Sequence, residues 1–348
     1  MPNFDIYHLG KDYFNLYKDC FDLNGSPKNI ENIEWQFIQN TEKKYFIDIA
    51  VDKDTNKTSA IYSTSCVKFK VKDELLIGAQ SLDTITDLDY RGLGLFIKLA
   101  ESVYQRCESN YVDLVYGFPN GNSIHGFEKK LEWKVLDPVP FLFKPLRSKY
   151  FTRRLTLLKC LPNLNLSFIK FKNDLNLNIV ENMCFPEEVN FIWKKFSNTI
   201  LVSVDRNKDY LDWRFIRKPN ENYRIAHCYC KKKGYLGFIV FTVKEKHDGI
   251  IAYIMELIYD LTEPRAAKLL LNYAINEVKR NNADCLLTWC FKHSPNYSVF
   301  SNSFFMKIPE KLKFIELHFG VKVLNEGIAN CVKRRENWYL SYSDSDTV

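Results

Sequence analysis

Residues 83–96 read DTITDLDYRGLGLF and form the most informative segment of the chain. The first residues have the composition of a strand, Arg91 and Gly92 predict a turn, and an amphipathic helix follows. The helix is predicted by apolar residues at i, i+3 and i+4 spacing, which are Leu95, Phe96, Leu99, Ala100, Val103 and Tyr104. The first N–H groups of a helix lack partners inside it, and the helix dipole adds positive charge there. Because glycines also let a ligand approach the backbone closely, we expect this turn to bind phosphate or pyrophosphate.

A second segment strengthens this interpretation. Tyr111–Phe118 has the pattern of a strand, residues 119–123 interrupt it, and residues 127–133 read FEKKLEW. The turn at residues 91–94 resembles the acyl-CoA pyrophosphate loop of the GNAT superfamily of N-acetyltransferases, Arg/Gln-x-x-Gly-x-Gly/Ala. FEKKLEW resembles the aromatic-x-lysine-leucine-glycine-aromatic signature that closes the GNAT core. The run GFPN at residues 117–120 resembles a subgroup found among sugar-modifying and uncharacterised bacterial members.

Two residues depart from the GNAT pattern. Phe96 stands where the loop pattern ends in glycine or alanine, which makes one amide less accessible to phosphate. Phe127 stands where many members have a tyrosine that acts as general acid. Phenylalanine has no proton to give, so in this chain that role is either empty or filled by another residue.

The chain also contains an internal repeat. Glu34-Trp35-Gln36-Phe37-Ile38 recurs as Asp212-Trp213-Arg214-Phe215-Ile216, and in each copy a tyrosine follows ten residues after the tryptophan. Each copy then continues with strands, a long helix (Gly92 to Cys107, Pro264 to Asn281) and a further strand. At its helix start the second copy has Glu263 and Pro264, which would repel phosphate and remove an amide donor.

These observations predict an α/β fold of two tandem GNAT-like domains, each a mixed central sheet flanked by helices. We expect a GNAT domain with the acyl-CoA loop at residues 1–150 and a helical linker at 151–175. Between the two domains, Leu146 to Leu161 is predicted to form a helix that Pro162 and Asn163 end. A second, degenerate GNAT-like domain is expected at 176–336, and a tail docked near the cleft at 337–348.

Composition limits the classes of function. The net charge of +7 suits acidic ligands such as CoA or nucleotide sugars, and without a long basic run we expect no nucleic acid. None of the ten cysteines forms a C-x-x-C pair, so we expect no metal site and reduced thiols. There is no basic, apolar leader and no run of about 18 apolar residues, so we expect a cytoplasmic protein without a membrane span. The oligomeric state stays open.

The resemblance implies roles for individual residues. Backbone amides of Thr84, Ile85 and Thr86 would hold the pantetheine and the thioester carbonyl. Amides of the loop would hold the pyrophosphate, and these belong to Arg91, Gly92, Leu93, Gly94 and Leu95. Asn120 or Asn122 would hold the pantetheine arm. Asp83 is the carboxylate best placed as a base or amine anchor, and His125 could take a proton at neutral pH; a surface role is the alternative for both.

The acceptor side has further candidates, each with a structural alternative. Trp35 and Trp213 either pack between the repeats or stack on a sugar or base. His293 occupies in the second copy the place of His125 and could face a shared cleft. In the tail, Asp344 and Asp346 either meet a cationic amine or form a loose acidic end.

The predicted function is transfer of an acetyl group from acetyl-CoA to a primary amine. The resemblance favours an amino sugar, free or nucleotide-linked, as in the synthesis of surface polysaccharides. A tRNA-dependent aminoacyl transferase of the tandem-GNAT type and a non-catalytic CoA-binding protein are the alternatives. Transfer without a tyrosine acid is feasible, because a thiolate is a good leaving group and the pKa of its thiol is about 8.5.

Overall fold

The computed structural model describes residues 3–148, 152, 162–166, 175–246, 248–308, 316–345 and 347. Most of the predicted helix from Leu146 to Leu161 and most of the 151–175 linker lie outside these residues. Residues 146–148 are described and are not helical, because Arg147 instead forms a β-bridge with Asn165, so the predicted start of this helix is wrong. The elements of the first half are β1 (Phe4–His8), α1 (Phe14–Leu23), α2 (Ile30–Phe37), β2 (Tyr45–Asp52), β3 (Thr58–Val71), β4 (Glu74–Thr86), α3 (Leu95–Ser109), β5 (Leu114–Gly117), α4 (Ile124–Lys129), β6 (Lys134–Val135) and β7 (Phe141–Pro145).

The second half repeats this plan. Its elements are β8 (Leu177–Glu181), α5 (Glu188–Phe196), β9 (Val202–Val204), α6 (Lys208–Leu211), β10 (Arg224–Cys230), β11 (Gly234–Lys246), β12 (Gly249–Tyr259), α7 (Pro264–Arg280), β13 (Cys285–Trp289), α8 (Tyr297–Asn302), β14 (Met306–Lys307), β15 (Gly320–Val323) and α9 (Ala329–Val332). A π-helical turn, Asp212–Ile216, follows α6 directly.

Both sheets are mixed, and their central strands correspond. One sheet has the order β1-β2-β3-β4-β5-β15-β6, with β9 paired to β3, and the other has the order β14-β7-β13-β12-β11-β10-β8. In each sheet the strand before the long helix runs parallel to the strand after it, β4 to β5 and β12 to β13, as a helical crossover requires. The long helices α3 and α7 begin and end within three residues of their predicted bounds. The predicted fold class, two mixed sheets flanked by helices, is confirmed.

The two halves exchange strands. β15, from near the end of the chain, pairs with β5 in the first sheet, with Gly320 opposite Gly117. β7, from the first half, pairs with β13 in the second sheet, with Phe141 opposite Trp289. The first sheet therefore contains two strands of the second half, β9 and β15, and the second sheet contains one strand of the first half, β7. The division of the chain at residue 150 stays a prediction, and the sheets themselves cross it.

The core also crosses between the halves. One hydrophobic cluster contains Phe69 and Tyr116 of the first sheet together with Trp193, Ile239 and Trp338 of the second half and the tail. A separate cluster lies on the other face of the first sheet, beneath α3 and α4. Within the described residues, no helix is long and apolar enough to cross a membrane.

Candidate active site

The parallel pairing of β4 with β5 ends at Ser81 and Gly117. Just beyond this point β4 carries a bulge, because Ser63 of β3 lies opposite Leu82 and Ile61 lies opposite Ile85. Between these two pairs β4 advances by three residues and β3 by only two, so β4 carries one extra residue. Asp83 lies in this bulge and has a left-handed φ of +49°. The bulge turns β4 away from β5, so that the two strands diverge.

A cavity of about 300 Å³ lies at this divergence. Its lining combines four aromatic side chains with seven polar ones, so it is more polar than most small-molecule pockets. The aromatic wall residues are Phe21, Phe118, Phe127 and Trp133. The polar side chains include Ser26, Lys28, Ser81, Asp83, Thr84 and Asn120.

The glycine loop follows directly from the end of β4. Residues 91–94 are exposed, and both Gly92 and Gly94 have left-handed φ values, +79° and +75°. Gly94 is the N-cap of α3, and no side chain caps the helix there. No described atom lies within 4 Å of the place where a Cβ of either glycine would be. The first amides of a long helix are therefore open to an anion, a few residues along the chain from Thr84, which lines the cavity.

Phe96 does not cover this opening. Its ring packs against Phe127 with the ring centroids 5.0 Å apart, and it lies so close to Gly126 that a Cβ there would meet it at 2.6 Å. Phe96, which replaces the glycine or alanine of the loop pattern, therefore fills space between α3 and α4.

Asp83 lines the cavity, but its carboxylate is already engaged. Oδ2 accepts a hydrogen bond of 2.9 Å from the Tyr17 hydroxyl, and Oδ1 pairs with the Lys28 ammonium. Both Lys28 and Asp83 face the cavity, so a ligand would meet one group of each charge. No sequence motif marks Lys28, which precedes Asp83 by 55 residues.

The other predicted residues on this side have different positions. Thr84 lines the cavity, whereas Ile85 and Thr86 pair with β3. Asn120 also lines it, and its Oδ1 accepts 3.1 Å bonds from the amides of Asn122 and Ser123, so this side chain holds the turn. Asn122 and His125 are exposed, and neither is among the described residues that line the cavity.

The repeated tryptophans pack against each other. Their rings stack at 4.7 Å with an interplanar angle of 13°. Trp35 Nε1 donates to the Trp213 carbonyl at 2.8 Å, and Trp213 Nε1 donates to the Trp35 carbonyl at 3.0 Å. Both are 4% exposed. The substrate-stacking interpretation of Trp35 and Trp213 is therefore wrong, because each indole covers the other.

The matching cleft of the second half holds the C-terminal tail. The pairing of β12 with β13 ends at Tyr253 and Leu287, and β12 has a bulge at the corresponding place. The Tyr342 ring stacks on Trp289 at 4.6 Å and meets Tyr253 edge-on at 5.4 Å. Glu263, before α7, is paired with Lys233. The tail thus occupies the space that stays open in the first half.

The tail residues predicted to meet substrate are engaged within the protein. Asp344 is 1% exposed, and its Oδ2 lies 2.6 Å from Arg206 Nη2, so it is not available to a substrate amine. His293 Nε2 donates to the Trp338 carbonyl at 2.9 Å and anchors the tail. Asp346 lies outside the described residues. The predicted contact of Asp344 with substrate is wrong, because the interior supplies its cation.

No protein-family model and no curated protein matches the sequence. Solved structures do match along nearly the whole chain. One is a conserved protein of Enterococcus faecalis described as a probable N-acyltransferase, with a TM-score of 0.64 and 10% identity over 94% of this chain and 74% of that one. N-myristoyltransferase of Saccharomyces cerevisiae with bound myristoyl-CoA matches with a TM-score of 0.59 and 13% identity, over 92% and 84%.

A third match is a tandem GNAT protein from the clavulanic acid biosynthesis pathway, with a TM-score of 0.56 and 9% identity over 92% of this chain and 99% of that one. At these identities the comparisons concern the fold, and the sugar-modifying subgroup stays a prediction. The chain shares the fold of these solved structures, one of which is a tandem GNAT protein.

Proposed function

We propose that the protein transfers an acyl group from acyl-CoA to an amine in the cavity between β4 and β5. The observation that carries this proposal is the continuity of two features. The cavity opens where the strands diverge, and the exposed glycine loop at the start of α3 follows from the same strand. A ligand with a pyrophosphate at one end and a thioester at the other suits this arrangement.

The chemistry follows from placement and hydrogen bonding. Amides of the loop and of the first turn of α3 would bind the pyrophosphate. The strand residues Thr84 to Thr86 would orient the thioester, and positioning of this kind can supply a large part of the rate enhancement. The amine then attacks the carbonyl carbon, and amide donors stabilise the oxygen on which negative charge develops.

We propose acetyl as the acyl group and an amino sugar as the acceptor. A cavity of about 300 Å³ is at the lower end of ligand pockets, which supports a short acyl chain. Asp83 and Lys28 are paired with each other at the cavity, and this pairing would be exchanged for an ammonium group on Asp83 and for the phosphate of a nucleotide-linked sugar on Lys28. The resemblance of residues 117–120 to sugar-modifying members supports the same acceptor.

Titration calorimetry with acetyl-CoA tests the proposal. The wild-type protein should bind it, and Arg91→Glu should abolish binding, because it places negative charge in the exposed loop beside the pyrophosphate. Arg334→Glu is the matched control, since Arg334 is an exposed arginine in the loop after α9. Undiminished affinity in Arg91→Glu would contradict the assignment of the loop.

A second measurement separates the alternatives. Release of free CoA thiol is followed in a panel of primary amines that includes glucosamine. Binding of CoA without turnover on any amine would indicate a non-catalytic CoA-binding protein. Tight, steeply salt-dependent binding of charged tRNA without CoA binding would indicate the aminoacyl transferase.

A further inference from the structure

Four polar groups form a continuous chain of hydrogen bonds beneath the cavity. Trp133 Nε1 lies 2.9 Å from the Tyr104 hydroxyl, which lies 2.7 Å from the Tyr62 hydroxyl. The Tyr62 hydroxyl lies 2.8 Å from Ser81 Oγ. Trp133, Tyr104 and Tyr62 are buried, and Ser81 lines the cavity.

Only one direction of donation along these hydrogen bonds gives every buried proton an acceptor. An indole N–H only donates, so the Tyr104 oxygen accepts from Trp133. The Tyr104 hydroxyl therefore donates its hydrogen bond to the Tyr62 oxygen, which is its other partner among the described residues. The Tyr62 hydroxyl donates in turn to Ser81 Oγ. Reversing either step would leave a buried hydroxyl proton without an acceptor, which is costly.

Ser81 is consequently an acceptor within the protein, and its own proton is left to point into the cavity. Successive hydrogen bonds in one direction polarise each other, so Ser81 is a stronger donor than an isolated serine. Gly117 keeps the neighbouring space free, because a Cβ at this position would meet Ser81 Cβ at 3.3 Å. Phe127, which stands in the place of the usual tyrosine acid, lines the same cavity.

We propose that the Ser81 hydroxyl donates a hydrogen bond to the CoA sulfur as the thioester breaks, and so fills the role that Phe127 cannot. This inference rests on the proposed function. The C–N bond forms, the C–S bond breaks, and the electron pair of that bond leaves on sulfur. The amine proton passes to solvent, and Ser81 keeps its own proton while it stabilises the thiolate.

The buried tyrosines act as positioning residues. Burial raises the pKa of Tyr62 and of Tyr104 above the ordinary value of a phenol. Both therefore stay neutral across the working range and keep the protons that orient the chain. Their part is to hold the Ser81 proton toward the cavity.

The pH dependence of CoA binding tests the proposal without an acceptor amine. Calorimetry measures the affinities of CoA and of desulfo-CoA, which lacks the thiol, from pH 6 to pH 10. The effects of titrating the phosphates and the protein are common to both ligands and cancel in the ratio of the two affinities. A hydrogen-bond donor to sulfur lowers the pKa of the bound thiol from its usual value of about 8.5. If the pKa falls by about one unit, CoA affinity relative to desulfo-CoA rises about tenfold across this range in the wild-type protein.

Ser81→Ala should lose this rise, and Tyr62→Phe should show part of it, because Ser81 then lacks the bond that polarises it. Lys28 and Asp83 are the other charged groups facing the cavity among the described residues, and both are unchanged in these variants. Ser65→Ala is the matched control, since Ser65 is a buried serine of β3 that donates to the Gln36 carbonyl. It should behave like the wild-type protein.

The outcomes separate the two proposals. Normal CoA binding with the same pH dependence in the wild-type protein and in Ser81→Ala would overturn this inference and leave the proposed function standing. Failure of the wild-type protein to bind CoA at all would overturn the proposed function and this inference with it. If Ser81→Ala does not fold, a full tenfold rise in Tyr62→Phe would count against the hydrogen-bonded chain.

Discussion

Two carboxylates share one guanidinium group in the interior. Arg206 Nη2 lies 2.6 Å from Asp344 Oδ2, and Arg206 Nε lies 3.1 Å from Glu256 Oε2. All three side chains are almost completely buried. Ser341 and Ser343 also donate to Glu256, at 2.7 and 2.9 Å. Because charges without solvent need partners, this cluster fixes the tail against β12.

Replacing the shared cation should therefore be strongly destabilising. Arg206→Met leaves both carboxylates buried without their counter-charge, and we expect it to lower the free energy of unfolding by about 3–5 kcal/mol. Urea denaturation measures the change. Lys129→Met, in an exposed ion pair with Glu128, is the control and should change stability by at most about 0.5 kcal/mol. Equal effects of the two variants would mean that the cluster does not hold the tail.

Among the elements, α3 and its loop were the most predictable. Local spacing of glycines and apolar residues predicted both, but the helix begins at Leu95 and not at Gly92, because Gly92 and Gly94 are left-handed. The cavity was only partly predictable. Asp83 and Asn120 lie near the motifs, whereas the ion pair of Lys28 with Asp83 joins distant segments and leaves no local pattern.

The left-handed conformation of Gly94 gives a prediction for this element. Gly94→Ala should lower the free energy of unfolding by about 1–2 kcal/mol, because φ is +75° there. It should also weaken acetyl-CoA binding, since relief of the strain moves the loop amides. Gly10→Ala is the matched control, because Gly10 also has open space around it and a φ of −91°. A neutral effect of Gly94→Ala would show that the loop adapts without cost.

At the scale of the whole molecule, the repeat was visible in the sequence but the strand exchange was not. The repeated Trp-x-Phe-Ile motif predicted two similar halves, and a structural role for the tryptophans was one interpretation. β7 and β15 are short, and their partners, β13 and β5, are distant in the chain. Such pairings depend on tertiary packing, so propensity does not reveal them. The exchange makes each half incomplete without the other.

The tryptophan stack should couple the stability of the two halves. Trp35→Ala and Trp213→Ala each remove a buried indole and one of the two reciprocal hydrogen bonds, so each should cost about 3–5 kcal/mol. The double variant should lose less than the sum by about 0.5–3 kcal/mol, because the first substitution already breaks the stack. Urea denaturation of the four proteins gives this coupling energy.

The control cycle pairs Trp35→Ala with Trp133→Ala, which lies in a separate hydrophobic cluster, and should be additive within about 0.5 kcal/mol. Additivity in the Trp35–Trp213 cycle as well would mean that the halves are joined by strand exchange and not by the stack.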